Sequence, residues 1–480
     1  MIKGGLKMFK DKKLYLFLGV VVLFFGFLYR INFSVDTYLL FASPNYSYVR
    51  EYLGAGRIFT WLLFYVMGLI KIPHIAMYLV SYILGIVLLT IAIYELNKIL
   101  DKYIDNKFLS ILISISILIN PFIIELWLFI ESGIMMLSIL GCVEAFKYFD
   151  KYLEKKNKKN LLYSFIWMLV AAFSYQGTLA LFIALSIFSV LYRSKKFTDF
   201  IVNNVIMGLI YGLPTLGNYI LIRLSSNNRV GGSFNISNTI SNIIHSTKII
   251  IGGFGLVFRG AITILLVASI TLVIYYILKS KSKKKGISIL SVIYIILMIY
   301  IFTILPIIPQ TGERIAVYPR TCYAFFSMIG VLFLFANKKA NYKGFMVILL
   351  VLLGMEFLSF TRIEGNRYRV NQLDREIILE IEDKVKEYEK DTGITVSKLA
   401  IYNLKDSAKF YDRLDDRLNV SAIKERPSGL AAYTFFARRR LEYTKEDKEV
   451  YEQFFKNIDD DEFDINQVII IDDTIHWYLY

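Results

Sequence analysis

Between residues 14 and 360 the chain is a succession of apolar stretches, and the connections between them divide by the kind of base they carry. One alternate set is rich in lysine, while the arginines sit almost entirely in the other. Hydrophobic residues make up 56% of the sequence, aromatic residues 16%, and mean hydropathy is +0.51, well above a soluble globular chain. A polytopic membrane protein is predicted. The net charge of +15 raises nucleic-acid binding, but it is unevenly placed: residues 1–360 hold 35 basic and 14 acidic side chains, and the remainder 20 and 26. Basic charge confined to loops between apolar segments is a topology signal, so no nucleic-acid partner is expected.

The two cysteines, Cys142 and Cys322, lie in or beside apolar segments and suggest neither a disulfide framework nor a thiolate metal site. His74, His245 and His476 lack ligand spacing. The lysine-rich start followed by an apolar run has no small-residue cleavage site after Leu28, so it reads as a retained first span.

A helix needs about 20 apolar residues to cross the hydrocarbon core. On that basis about eleven spans are expected, near 14–30, 75–95, 108–121, 131–148, 161–175, 177–192, 201–222, 260–278, 287–306, 320–336 and 344–360. Lysine-rich short loops belong to the cytoplasm, and Lys3, Lys7, Lys10, Lys12 and Lys13 set the N-terminus there. Connections 96–107, 149–160, 193–200, 279–286 and 337–343 fall on the same side; Arg193 is their one arginine. The opposite side carries Arg30, Arg50, Arg57, Arg223, Arg229, Arg259, Arg314 and Arg320 with Lys71 and Lys248. Residues 57–72 are apolar enough to cross, but counting them as a span would put every later lysine cluster outside. They are expected to be interfacial or re-entrant, a state that requires backbone buried in protein or lying flat as a helix. The hairpin at Tyr175, Gln176 and Gly177 is the other point on which sidedness turns.

After Phe360 the composition becomes that of a small soluble domain. Val370, Leu373, Ile377, Ile381, Val385 and Tyr388 recur at steps of three and four, an amphipathic helix. Leu399 with Ile401, and Val468 to Ile471, predict two short strands. Thr444 with Asp447 resembles a capping box before a helix holding Tyr451 and Phe454. The fold class is therefore an all-α transmembrane domain, 1–360, with a small α/β domain, 361–480, on the extracytoplasmic side. Its ending, Trp477, Tyr478 and Tyr480, suits hydrophobic packing better than sugar stacking. The acidic run Asp459 to Glu462 lacks calcium-loop spacing and reads as a solvated turn.

Ionisable groups near membrane spans are costly and more often functional than on a soluble surface. The outer-face set is Asp36, Glu51, Arg57, Glu125, Glu131, Gln176, Glu313, Arg314 and Arg320, and most of it is expected to share one cavity. Asp36 follows the first span in Asn32-Phe33-Ser34-Val35-Asp36-Thr37-Tyr38 and is placed to accept a proton from a hydroxyl. A helix-capping role for it is equally open. Arginine's planar fork suits phosphate, so the outer arginines suggest an anionic, phosphate-bearing ligand. For Arg30, Arg223 and Arg259, snorkelling to headgroups is the simpler explanation. Arg57, Arg314 and Arg320 have aromatic, Gly and Pro neighbours that suggest defined backbone. Glu125 and Glu131 flank Trp127 after Asn120-Pro121; each either orients a sugar hydroxyl or pairs an arginine, with pairing favoured for at least one. No Gly-x-x-x-x-Gly-Lys-Ser/Thr occurs, and Gly252-Gly253-Phe254-Gly255 lacks the context of a dinucleotide loop. An activated donor is therefore expected to arrive within the membrane.

These residues carry a resemblance. Asp36-Thr37-Tyr38 after the first span, Gly56-Arg57, Asn120-Pro121-Phe122 with Glu125, Tyr175-Gln176 and Pro319-Arg320 before a late span make residues 14–360 resemble the type II glucosyltransferases that decorate O-antigen. These are polytopic enzymes of the GT-C type. The resemblance implies an inverting transfer from a polyprenyl-phosphate-linked sugar to a surface polysaccharide, with Asp36 as base and Arg57, Arg320 and Arg314 at the donor phosphate. Glu125, Glu131, Tyr175 and Gln176 would orient sugar or acceptor. The family usually shows paired Asp residues where this chain has Asp36-Thr37, so a metal is not supported and no cofactor is expected.

Two other classes compete. A lipid-linked oligosaccharide flippase or other transporter should line a midplane path with charge and often carries repeats, whereas no convincing repeat occurs here. A glycan polymerase or ligase would differ mainly in its acceptor, and a large outer loop would favour it; connection 223–259 is modest.

Overall fold

The computed structural model describes residues 11–26, 34–42, 49–225, 236–252, 260–280, 285–305, 317–337, 342–402, 421–424, 426–456, 458 and 463–479. The chain forms two compact units. One comprises Met1–Phe27, Arg50–Trp127 and Glu131–Phe360, and the other Leu28–Val49, Leu128–Ile130 and Thr361–Tyr480.

The first unit is helical. Among the described residues, six helices are long and apolar enough to cross a membrane: His74–Leu100, Ser132–Lys155, Gln176–Arg193, Phe197–Leu224, Lys285–Ile304 and Lys343–Thr392. The expectation of eleven spans is thereby corrected. Apolar stretches Ile58–Leu69, Lys107–Leu118, Thr263–Lys279 and Ala324–Ala336 hold only 10–17 residues, and at 1.5 Å per residue twelve residues reach about 18 Å, short of a core about 30 Å thick. Apolar content overestimates span length because local chemistry ends these helices early. Lys107–Leu118 stops where Asn120 Oδ1 accepts the Phe122 amide at 3.0 Å and Pro121 has no amide to offer.

Four of the segments assigned to the lysine side gather in space. Lys13 Nζ lies 2.6 Å from Asp101 and 3.0 Å from Asn97 Oδ1, and Lys147 Nζ lies 2.7 Å from Glu95. The Tyr103 hydroxyl donates to Asp150, Arg193 Nη2 donates to Tyr103 at 2.8 Å, and Lys156 donates to Asn203 at 3.1 Å. The N-terminal helix and connections 95–103, 147–156 and 193–203 thus meet at one end of this unit. Arg193, the arginine that breaks the lysine pattern, serves a buried carboxylate: its Nε is 3.6 Å from Asp150.

The stretch after Arg57 does not run from one end to the other. Arg57 pairs with Glu131, and Ser81 Oγ accepts the Gly133 amide at 3.1 Å, both at the start of helix Ser132–Lys155. The 23 residues between Arg57 and Ser81 therefore leave and return at the same level.

The second unit holds a four-stranded sheet of order β2-β1-β4-β3, with β1 Lys398–Tyr402, β2 Glu442–Tyr443, β3 Val468–Ile471 and β4 Thr474–Tyr478. β1 runs parallel to β2 and β4, and β3 is antiparallel to β4, with Leu399 opposite Ile475 and Ile470 opposite Ile475. Leu399, Ile401, Ile475 and Trp477 are fully buried; Trp477 and Tyr478 belong to strand β4, while Tyr480 lies outside the described residues. Helix Tyr342–Thr392 is continuous over 51 residues, and Val370, Ile377, Ile381 and Val385 of its Thr361–Thr392 part are buried. Arg439 bridges Glu382 and Glu389 of that part, 2.9 and 2.7 Å away, and these hydrogen bonds hold the guanidinium pKa above its usual range. The capping box expected at Thr444 is replaced by Asp447, whose carboxylate accepts the Glu449 amide at 2.8 Å ahead of helix Lys448–Val450. Residues Asp459 to Glu462 lie outside the described residues.

Candidate functional site

At the end of the first unit away from the lysines, four breaks in helical structure converge. The first is the turn before helix Ile58–Leu69. Gly56 has φ +74, and a Cβ there would stand 2.7 Å from Asn218 Oδ1, so only glycine both adopts this conformation and admits the neighbour. Asn218 Nδ2 donates to the Gly56 carbonyl at 2.7 Å and to Ala172 O at 3.0 Å, while Gln176 Nε2 donates to Ala55 O and Asn218 Oδ1, each at 2.8 Å. These bonds hold the turn that presents Arg57.

Arg57 Nη1 donates to Glu131 Oε1 at 2.8 Å, and the Tyr52 hydroxyl donates to Glu131 Oε2 at 3.1 Å. Glu131 is the N-cap of helix Ser132–Lys155, where the helix dipole favours a negative charge. The Arg57 guanidinium lies 4.9 Å from the centre of the Tyr175 ring, a cation–π distance. Its Nε has no hydrogen-bond partner.

A second pair repeats this arrangement. Asn120-Pro121 closes one helix and opens the short helix Ile123–Trp127, which carries Glu125. Glu125 Oε2 accepts the Arg320 amide at 2.7 Å and Oε1 accepts from Arg320 Nη1. Arg320 sits in the turn Pro319–Thr321, its guanidinium 4.3 Å from the centre of the Tyr318 ring. Asn120 Nδ2 donates to Tyr323 O at 3.1 Å, tying the two segments together.

Tyr175 lies between the pairs. Helix Lys158–Ser174 ends there in extended backbone (φ −159, ψ 123), and a turn Gln176–Thr178 follows. A Cβ on Gly177 would fall 2.7 Å from Arg320 O and 2.6 Å from the Tyr175 ring, so the approach of both to residue 177 requires glycine. Arg320, Arg57, Glu125 and Glu131 all act electrostatically on Tyr175. Both carboxylates are buried at 4% side-chain exposure, while Arg57 keeps 17% and Arg320 19%. The two acids are thus more deeply buried than the guanidinium groups they hold.

Six of the sequence-named residues, Arg57, Glu125, Glu131, Tyr175, Gln176 and Arg320, therefore come together. Arg314 lies outside the described residues. Asp36 falls in helix Val35–Ala42 of the second unit, and its side chain also lies outside them. Helix capping at that point is the work of Ser34, whose hydroxyl accepts the Thr37 amide at 3.3 Å. Sequence reasoning missed Asn218 and Tyr52. Asn218, 1% exposed, is a polar residue inside an apolar helix, and that alone marks it for attention.

No protein-family model matches the chain, and no curated protein matches it.

Proposed function

We propose that this chain is an inverting glycosyltransferase of the membrane, taking a sugar, glucose or a similar hexose, from a polyprenyl-phosphate donor to a cell-surface glycan at the outer face of the cytoplasmic membrane. The observation that carries this reading is the pair of guanidinium groups, each seated on a buried glutamate, on either side of Tyr175. A phosphodiester headgroup is a monoanion whose oxygens match such donors.

In the reaction, the acceptor hydroxyl gives its proton to Asp36 and its oxygen forms a bond to the anomeric carbon. The bond from that carbon to the phosphate oxygen breaks, and its electron pair leaves with polyprenyl phosphate. Arg57 and Arg320 stabilise the charge that develops on the leaving group. Lysine connections face the cytoplasm by the positive-inside rule, which sets the arginine end outside. On the same rule the domain 361–480 is extracytoplasmic.

The test uses the full chain in proteoliposomes with radiolabelled polyprenyl-phosphate glucose and extracted surface polysaccharide. Wild type transfers label; Arg57→Ala and Arg320→Ala each lower turnover by about 100-fold or more, the usual effect of removing one charge-stabilising donor, and Asp36→Asn abolishes it. Folded arginine variants with wild-type rates would reject the phosphate role, and retained turnover in Asp36→Asn would reject that base.

A further inference from the structure

Helix Tyr342–Thr392 carries an acid inside its apolar part. Glu356 is fully buried, and both of its Oε atoms lack a hydrogen-bond partner. The residues that share its face, Leu349, Leu352 and Phe360, are buried and apolar, and Phe360 packs against Phe24 and Phe25 with ring centres 6.0 and 5.7 Å away. Tyr323, at the start of helix Ala324–Ala336, is within electrostatic reach, but its hydroxyl is committed to Leu118 O at 2.6 Å.

The other buried carboxylates of this unit contrast with it. Glu125 and Glu131 hold arginines, Glu95 and Glu144 share Lys147, and Asp150 accepts from Tyr103 and Ser189. Among the buried carboxylates described, Glu356 is the one with neither oxygen engaged. An ion without counter-charge or donors in such a medium is far costlier than the neutral acid. An acidic group within a membrane span is accordingly a functional candidate.

We propose that Glu356 is a proton-binding site of the helical unit: it holds a proton as the neutral acid and releases it only when a polar group is admitted beside Tyr323. This assignment does not rest on the glycosyl-transfer reading. A proton passes between the carboxyl oxygen and the incoming group, and no other bond changes.

The test is infrared difference spectroscopy on the purified full chain in lipid nanodiscs at neutral pH, wild type minus Glu356→Gln. The expected result is a protonated-carboxyl carbonyl band that is lost in the variant and shifts in heavy water. Thermal unfolding of Glu356→Gln, which mimics the neutral acid, should match wild type. A difference spectrum holding only carboxylate bands, or marked loss of thermal stability in Glu356→Gln, would overturn the proposal, because either means an ionised and paired group. Should Glu356→Gln fail to fold, Glu356→Asp serves instead: the acid band must move in position, and a spectrum without change in that region would overturn the assignment.

Discussion

Removing Glu131 should cost more than its pairing is worth. The Arg57–Glu131 contact is 2.8 Å long with the carboxylate 4% exposed. Two unit charges about 4 Å apart at an effective dielectric constant of about 20 attract by roughly 4 kcal/mol, most of it offset by desolvation. Breaking the pair from one side is a different matter. Glu131→Ala strands a guanidinium whose Nε already lacks a partner and deprives the Tyr52 hydroxyl of its acceptor, and loss of about 3–5 kcal/mol is expected. Glu131→Gln keeps an acceptor and should lose less. The double variant Arg57→Met with Glu131→Met removes both charges and should return to within about 1 kcal/mol of wild type, because apolar replacement of a buried pair is often neutral.

Equilibrium unfolding of the full chain in mixed micelles, with the single variants Arg57→Met and Glu131→Met beside wild type and the double variant, measures all four corners of the cycle. The pair Lys456–Glu452 is a control: at 2.7 Å it is as short, but its side chains are 60% and 61% exposed, so Glu452→Gln should produce no measurable change. If Glu131→Ala proves as mild as Glu452→Gln, or the double variant loses the sum of its parts, the reasoning from burial is refuted.

Gly56→Ala should destabilise the helical unit by about 1–3 kcal/mol, from both the positive φ and the approach to Asn218. Under the proposed function it should also weaken donor binding as the Arg57 turn shifts, read by unfolding and by the KM for the lipid-linked sugar; unchanged unfolding would mean that the turn does not depend on glycine. In the second unit, burial lowers the His476 pKa from the usual 6.5, opposed by the nearby Asp447 charge, and Nδ1 sits 2.7 Å from the Tyr402 hydroxyl. The folded ring is thus neutral where the unfolded one begins to protonate, so stability is intact above pH 6.5 and lost as pH falls towards the folded value. Protection of the β4 amides, with the intrinsic pH dependence of exchange divided out, should fall on acidification below that point, and His476→Gln should flatten the profile.

Where the sequence was informative, the reason is elementary. Apolar stretches and lysine-rich connections follow from solvation alone, and a lipid-facing stretch cannot hide its composition. Strands β1 and β3 were legible as β-branched, alternating runs, whereas β4 was not, because Thr474 to Tyr478 mixes a polar histidine with large aromatics and reveals its place only when paired on both sides. Span number was overestimated for the same kind of reason: composition reports what a segment tolerates, while Asn120 and Tyr175 decide where its helix stops.

The site divides similarly. Arg57, Glu125, Glu131, Tyr175, Gln176 and Arg320 were recognisable singly, because charge and broken helix beside apolar spans are expensive and demand a cause. Which acid holds which base was invisible, since Arg57 and Glu131 are 74 residues apart and Glu125 and Arg320 are 195 apart, and pairing at that range is decided by how the helices pack. Asn218 and Glu356 are both polar residues in apolar helical stretches. Packing assigned one of them two backbone carbonyls and the Gln176 side-chain amide as partners and left the other with none. Solvation free energy belongs to each residue and can be read along the chain; the distance between two charges belongs to the fold.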